Sequence, residues 1–340
     1  MMALGLAADV LQGGTGNLAV VLLSSYWAAV AASSYAALFN LLPRKWISLV
    51  ATCAARGKLP ASGEARANQK TRLEKRFKNM TVPHSWFTHF YIFGSLWAYF
   101  WLCNIQCEPN QGSDAQCVGS GGATAVLALF LAHTLRRLAE CLWVQTFRPA
   151  ATMHVAAYIF GLSYYAAMPP SLVLGSGAAL LGVPSADASV AATCLHVIGG
   201  LIFTYGSAHQ HFCHQRLAEL RSRTHHTQGR RGGGECGYHI PHGGWFEHIS
   251  CAHYTAEVVL YIGLAIMCSA TPLSTSVFSV EPLSSASTNH HTYTAMLIPW
   301  MAVLAVVGNL GFSARETHRW YRRTFPEYPR NRSALLPGML

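Results

Sequence analysis

Long apolar runs separated by polar stretches set the pattern of this chain. Runs near 18–42, 86–103, 123–144, 152–174, 188–209, 253–271 and 294–312 come close to or exceed the roughly 20 apolar residues that cross a bilayer as a helix. The pattern predicts an all-α, polytopic membrane protein with about seven transmembrane helices. Met1 to Asn17 lacks the basic n-region of a cleaved signal, and the run that follows is too long for one. The first run carries Ala28, Ala29, Ala31, Ala32, Ser33 and Ser34, small residues suited to close helix packing. Chain order suggests two parts: residues 1–81, with the first helix and a long basic loop, and residues 82–340, with the other helices.

The third run breaks the pattern. His133, Arg136, Arg137 and Glu140 interrupt it, and charges inside a spanning segment face one another or a polar cavity. His133, Arg137 and Glu140 fall at i, i+4 and i+7 and share one helix face, while Arg136 and Glu140 form an i, i+4 pair. Arg137 or Arg136 is a candidate buried anion ligand, against the plainer reading of a salt bridge near the helix end. His154, at the start of the fourth run, is expected to join this face. The second run is rich in aromatics from Trp86 to Tyr99, as an interfacial belt or the lining of a cavity for a long apolar ligand.

Composition sharpens the membrane reading. Of 340 residues, 51% are hydrophobic and 11% charged, against about 25% charged in soluble domains. The formal net charge of +10 raises the question of nucleic acid, but its distribution answers it. All 24 Lys and Arg lie in 43–85, 145–151, 210–252, 313–340 or the third run, and none in the alternate loops 104–122, 175–187 and 272–293. That alternation fits the positive-inside rule, with the C-terminus cytosolic, and excludes nucleic acid as the reason for the charge. Cys107 and Cys117 share a non-cytosolic loop, where an oxidising lumen permits a disulfide.

Chemistry gathers in the basic segments. Arg72 to Phe77 reads as an interfacial amphipathic helix or a solvated linker. The fifth run ends in His209-Gln-His-Phe-Cys-His214. His225-His226 has no partner motif at metal-site spacing, and His290-His291 falls on the opposite side, so no metal is expected. Arg221, Arg223, Arg230 and Arg231, with Gly232 to Gly234, make a generic phosphate environment; no dinucleotide fingerprint or Walker loop is present. Tyr238 to Glu257 is dense in His, Gly and aromatics, and reads as a folded loop in which Gly243 and Gly244 allow close backbone approach. Arg315, His318, Arg319 and Arg322 lie at helical spacing, as a cationic face or an orienting tail for anionic lipid.

Several of these stretches resemble the steroid 5α-reductase family, in particular its polyprenol (polyprenal) reductase branch of plant and algal type. They are Tyr238-His-Ile-Pro-His-Gly-Gly-Trp-Phe-Glu247, Ser250-Cys-Ala-His-Tyr-Thr-Ala-Glu257, Glu316-Thr-His-Arg-Trp-Tyr321 and Phe325-Pro-Glu-Tyr-Pro-Arg-Asn-Arg-Ser-Ala-Leu-Leu-Pro337. Weaker matches are Val82 to Tyr91, Arg136 to Cys141 and Met153 to Leu162, so the resemblance runs from about residue 82 to the C-terminus.

The resemblance implies an endoplasmic-reticulum reductase that takes NADPH from the cytosol and a long-chain isoprenoid lipid from the membrane, in the route to dolichol that supports N-glycosylation. It places Gln210, His214, Arg221, Tyr238, His253, Glu257, His318 and Tyr321 around the cofactor, and the candidate anion ligand of the third run, Arg137 or Arg136, would join them. Tyr91, His133, Glu140 and His154 are the candidate acids or carbonyl donors. Three departures bear on the substrate. His253 replaces the Asn of steroid-specific members, His214 stands where they carry Asp, and their steroid-positioning Glu has no equivalent near Thr81 to His84. Hydride adds to an alkene conjugated with a carbonyl, where charge moves to oxygen, so the expected acceptor is polyprenal rather than polyprenol. The alternatives are an isoprenylcysteine-type methyltransferase, steroid 5α-reductase activity, a membrane di-iron oxidase and a non-catalytic lipid-binding protein.

Overall fold

The first apolar run forms helix α1 (Asn17–Leu38) in the computed structural model, which describes residues 17–43, 46, 47, 50, 76, 77, 79–105, 120–145, 147, 151–176, 190–228, 239–270 and 286–336. Six more helices follow among the described residues: α2 (Phe87–Asn104), α3 (Ser120–Trp143), α4 (Val155–Gly175), α5 (Val190–Gln228), α6 (Ala252–Cys268) and α7 (Ala286–Thr324). Each overlaps one of the seven apolar runs. Two short strands, β1 (Thr81–Pro83) and β2 (Thr152–His154), pair antiparallel just before α2 and α4. They take what the hydrophobic pattern assigns to the start of the fourth span.

The bundle buries a small charged cluster in a largely apolar interior and also turns large apolar side chains outward. Leu96, Ile159, Leu201 and Leu304 lie exposed on the outer faces of α2, α4, α5 and α7, while Arg137, Glu140, His133 and Gln210 are buried. Water would impose the reverse order, and lipid imposes this one. Among the described residues, three helices are long and apolar enough to cross a membrane: Leu18–Leu38, Val190–Ser222 and Thr294–Thr324. The seven helices are those of a polytopic membrane protein.

Two helices outrun their hydrophobic spans. α5 continues from the expected end at 209 to Gln228, and α7 runs to Thr324 rather than stopping at 312. Neither extension contains Pro, and the Gln, Leu, Ala, Glu and Arg of the α5 extension are good helix formers, so the backbone has no reason to stop where the apolar residues do. His209 to His214 and Arg315 to Arg322 are therefore held rigidly on helices.

Close packing falls between α5 and α6 rather than on the small-residue stretch of α1. Ala28, Ala29, Ala32 and Ser33 face outward; Ala31 and Ser34 are half-buried, with Ser34 against Gly308 of α7. At the α5–α6 seam the backbones nearly touch. A Cβ on Gly263 would lie 2.6 Å from the Gly199 carbonyl oxygen and 2.6 Å from Phe203 N, and one on Gly206 would lie 2.7 Å from Leu260 N. Between lipid-embedded helices, where hydrophobic burial gives no drive, such contact is a main source of association.

α1 packs along α7, so the segments 1–81 and 82–340 are in intimate contact. Arg315, expected on a cationic face, instead turns to the end of α1: its Nη1 donates to the Leu38 carbonyl and its Nη2 to the Ala37 carbonyl at 3.2 Å. It caps the end of α1, sharing the Ala37 carbonyl with Asn40 N. Gly263→Ala is expected to cost about 1–3 kcal/mol by overpacking the α5–α6 seam. Gly200→Ala, with nothing within 4 Å of its Cβ, is expected to be neutral or slightly stabilising. Thermal unfolding of the two variants in detergent checks both.

Candidate active site

Glu140 is the centre of a buried polar network. Arg136 Nη1 donates to its Oε1 and Arg137 Nη1 to its Oε2, both from α3 itself. From α5, His211 Nδ1 lies 2.7 Å from Oε1 and His214 Nδ1 2.7 Å from Oε2. The amide Nε2 of Gln215 lies 3.0 Å from His211 Nε2. It can only donate, so the His211 proton resides on Nδ1, toward Glu140. His214 Nδ1 also lies 2.7 Å from Arg137 Nη1, between an obligate donor and a carboxylate. Glu140 is 2% exposed and Arg137 4%, whereas His211, at 39%, opens the network to solvent. A buried charge of this kind is sustained only by such a set of partners.

The network extends to α2 and further along α3. Arg137 Nε donates to Tyr91 OH at 3.1 Å, Arg136 Nη2 donates to Gln210 Oε1 at 2.5 Å, and His133 Nδ1 lies 3.2 Å from Arg136 Nη2. Because the guanidinium donates, His133 accepts at Nδ1 and carries its proton on Nε2. Tyr91, His133, Arg137, Glu140, Gln210 and His214 thus meet at one site. Arg136 and His211 complete it. The sequence singles out His211 only as one of the three histidines of His209–His214 and not as a site residue, yet Gln210, His211 and His214 sit at i, i+1 and i+4 of one helix, and that spacing is the available signal.

α6 borders this site. The His253 ring centroid lies 5.8 Å from that of His214 and 4.1 Å from that of Tyr254. One turn further, Glu257 is within electrostatic reach of Tyr91 and Arg137.

His154 is used differently. Its Nδ1 accepts from Ala156 N at 3.1 Å, as the N-cap of α4, so its Nε2 donates to the Phe77 carbonyl at 2.9 Å. It holds β2 to α4 instead of joining the charged face of α3. Tyr238, Cys107, Cys117 and the Arg230–Gly234 loop lie outside the described residues, as do Arg72 to Lys75 and the side chains of Arg223, His225, His226, His290 and His291.

A second cluster forms where the chain folds back after α7. Ser333 N donates to His248 O at 2.9 Å, Ser250 N to Ser333 O at 2.8 Å, and Thr255 Oγ1 to Leu335 O at 2.5 Å, latching the tail onto the loop before α6. Tyr328 OH donates to Ser250 Oγ at 2.6 Å, so the Ser250 hydrogen passes to His318 Nδ1, also at 2.6 Å. Tyr321 stacks on Tyr328 with centroids 5.2 Å apart and lies within electrostatic reach of Arg221. Arg332, part of the C-terminal motif but not among the expected site residues, is buried and donates to Pro241 O at 2.9 Å. Gly243 serves by conformation alone, whereas Gly244 combines conformation with close approach, a Cβ there lying 3.3 Å from the Phe212 ring. Their φ angles are +95° and +57°, while a Cβ on Gly243 would meet nothing nearer than 3.6 Å. Gly243 N donates to Glu247 at 2.6 Å, and this bond holds the Glu247 carboxyl below the usual carboxylate range.

A buried charged centre drawn from α2, α3 and α5 and bordered by α6 lies inside a helical membrane protein. Comparison with known proteins gives its kind. A family model described as 3-oxo-5-alpha-steroid 4-dehydrogenase matches residues 179–299 and 295–340. Polyprenal reductase 1 of Arabidopsis thaliana is 31% identical over 294 residues, covering 76% of this chain and 82% of that relative. Polyprenal reductase of Mus musculus is 30% identical over 355 residues, 93% of this chain and 95% of the relative, and that of Homo sapiens is 29% identical over 322 residues, 88% and 90%. The chain belongs to the steroid 5α-reductase family, on its polyprenal reductase branch. The family is one of oxidoreductases acting on a carbon–carbon bond, and its reductases use a nicotinamide cofactor.

Glu140→Gln sets an amide N–H among four donors. The expected cost is about 3–5 kcal/mol, as for removing one partner of a buried ion pair. Thermal unfolding in detergent measures it. An unaltered midpoint would show that the network is not what holds α3 to α5.

Proposed function

We propose that this protein reduces the α-isoprene double bond of a long-chain polyprenal with NADPH, at the cytosolic side of the endoplasmic-reticulum membrane, in the formation of dolichol for protein N-glycosylation. The observation that carries the reading is the Tyr91–Arg137–Glu140 network, buried beside an aromatic interior in a chain so similar to polyprenal reductases.

The residues present fit a dinucleotide phosphate. Arg136 Nε and Arg332 Nε are buried N–H donors with no hydrogen-bond partner. Arg319 and Arg322 stand on the same helix as His318 and Tyr321. Arg221, His253, Glu257, Gln210, His214 and, beyond the described residues, Tyr238 complete the candidate set. When bound, NADPH supplies the hydride.

The chain's own residues divide the remaining work. Arg137 donates to the Tyr91 oxygen, so the phenolic hydrogen points elsewhere, and the guanidinium beside it stabilises the negative charge left when that hydrogen departs. Tyr91 is therefore the proton donor to the α-carbon. Glu140 fixes both arginines and is a positioning residue, since both of its oxygens already accept. His133 keeps an Nε2 proton on the aromatic side as the remaining donor. The apolar interior shields the reacting carbons from water.

Purified protein supplied with NADPH and either polyprenal or polyprenol tests the reading. The saturated aldehyde is expected from polyprenal alone. Saturation of polyprenol with no aldehyde present, or methyl transfer from S-adenosylmethionine in place of reduction, would overturn it. Tyr91→Phe is expected to lower kcat by roughly 10²–10⁴-fold, the usual contribution of a positioned acid, with NADPH binding by fluorescence unchanged.

A further inference from the structure

Beside the charged network, the aromatic rings close on themselves. Centroid separations run 5.6 Å from Tyr91 to Tyr165, 5.2 Å to Tyr164, 6.1 Å to Tyr261, 6.2 Å to His133, 6.4 Å to Phe130 and 6.5 Å back to Tyr165. The members come from α2, α3, α4 and α6. Two of them are chemically odd for an apolar interior. The hydroxyls of Tyr164 and Tyr261 are buried and lie against each other, and neither meets any other group in hydrogen-bond geometry, so that even as a pair they leave one phenolic hydrogen without an acceptor. Tyr261 is 1% exposed. A buried hydroxyl left unsatisfied costs about 1–3 kcal/mol, and phenylalanine would fill the same space without that cost. Such groups call for a partner that arrives from outside.

We propose that Tyr164 and Tyr261 form a paired-hydroxyl cradle for the aldehyde oxygen of the substrate. The proposal rests on the polyprenal reading and names the residues that recognise its reacting end. A carbonyl oxygen has two lone pairs and no hydrogen, so it accepts from two phenols at once, whereas an alcohol must also place its own hydrogen. Glu257 is within electrostatic reach of Tyr91, Tyr164, Tyr165 and Tyr261, and its negative charge disfavours a phosphorylated prenyl head in the ring. In the reaction, hydride from NADPH forms the new bond at the β-carbon. The π pair of the double bond moves to the α-carbon–carbonyl-carbon position, and the carbonyl π pair moves to oxygen, where the two phenols stabilise the charge. The proton from Tyr91 then forms the α-carbon–hydrogen bond and the carbonyl is restored. The substrate has gained two electrons and one proton with the hydride, the cofactor is oxidised, and Tyr91 regains its proton from water.

The test uses Tyr261→Phe and Tyr164→Phe in the purified full chain. Loss of an unsatisfied hydroxyl is expected to leave the unfolding midpoint unchanged or raised, while kcat/KM for polyprenal falls roughly 10²-fold, as for loss of one oxyanion donor. Without NADPH, intrinsic fluorescence titration with a short saturated prenyl aldehyde and its matched hydrocarbon is expected to show about tenfold weaker aldehyde binding in each variant and unchanged hydrocarbon binding. Unchanged kcat/KM and unchanged aldehyde preference in both variants would sink the cradle. If wild-type protein prefers the aldehyde over the hydrocarbon but does not reduce polyprenal, the functional reading fails and the cradle stands.

Discussion

A single carboxylate holds the polar interior of this protein together. Glu140 receives both arginines of its own helix and reaches across to two histidines of α5. Surrounded by apolar helices and reached by solvent only from the His211 and Arg136 side, Glu140 and Arg137 are out of water and depend on their partners. Through Arg137 the network fixes Tyr91 on α2, and through Arg136 it fixes Gln210 on α5 and His133 on α3. Three helices thereby acquire a mutual register that apolar packing in lipid would leave loose.

The glycine seam complements it. α5 carries the histidines of the network and α6 carries His253 and Glu257, so the close approach at Gly199, Gly206 and Gly263 sets how near these groups stand. A polar tie on one side of α5 and backbone contact on the other hold it in place.

Much of the bundle was legible in the amino-acid pattern, because crossing a bilayer demands long apolar runs. The i, i+4 and i+7 placement of His133, Arg137 and Glu140 showed which face of α3 is polar, and that face is the centre of the site. Periodicity, however, names a face and not its partner. It could not show that Arg315 turns to cap α1, that His154 caps α4, or that His211 reaches Glu140 across 71 residues of chain. The helices also continue past their apolar limits, since hydropathy reports on solvent and helicity on local backbone preference. Four of the six small residues of α1 point outward, because composition alone does not fix the azimuth of a helix.

The order in which the parts meet has a bearing on biogenesis. Residues 328–335 pin the loop that precedes α6, and they leave the ribosome after all seven helices have been made. The helices can enter the membrane one by one during synthesis, but the loop before α6 can be fastened only afterwards. The nascent protein therefore passes through a stage in which all seven helices have been made and that loop is still unpinned.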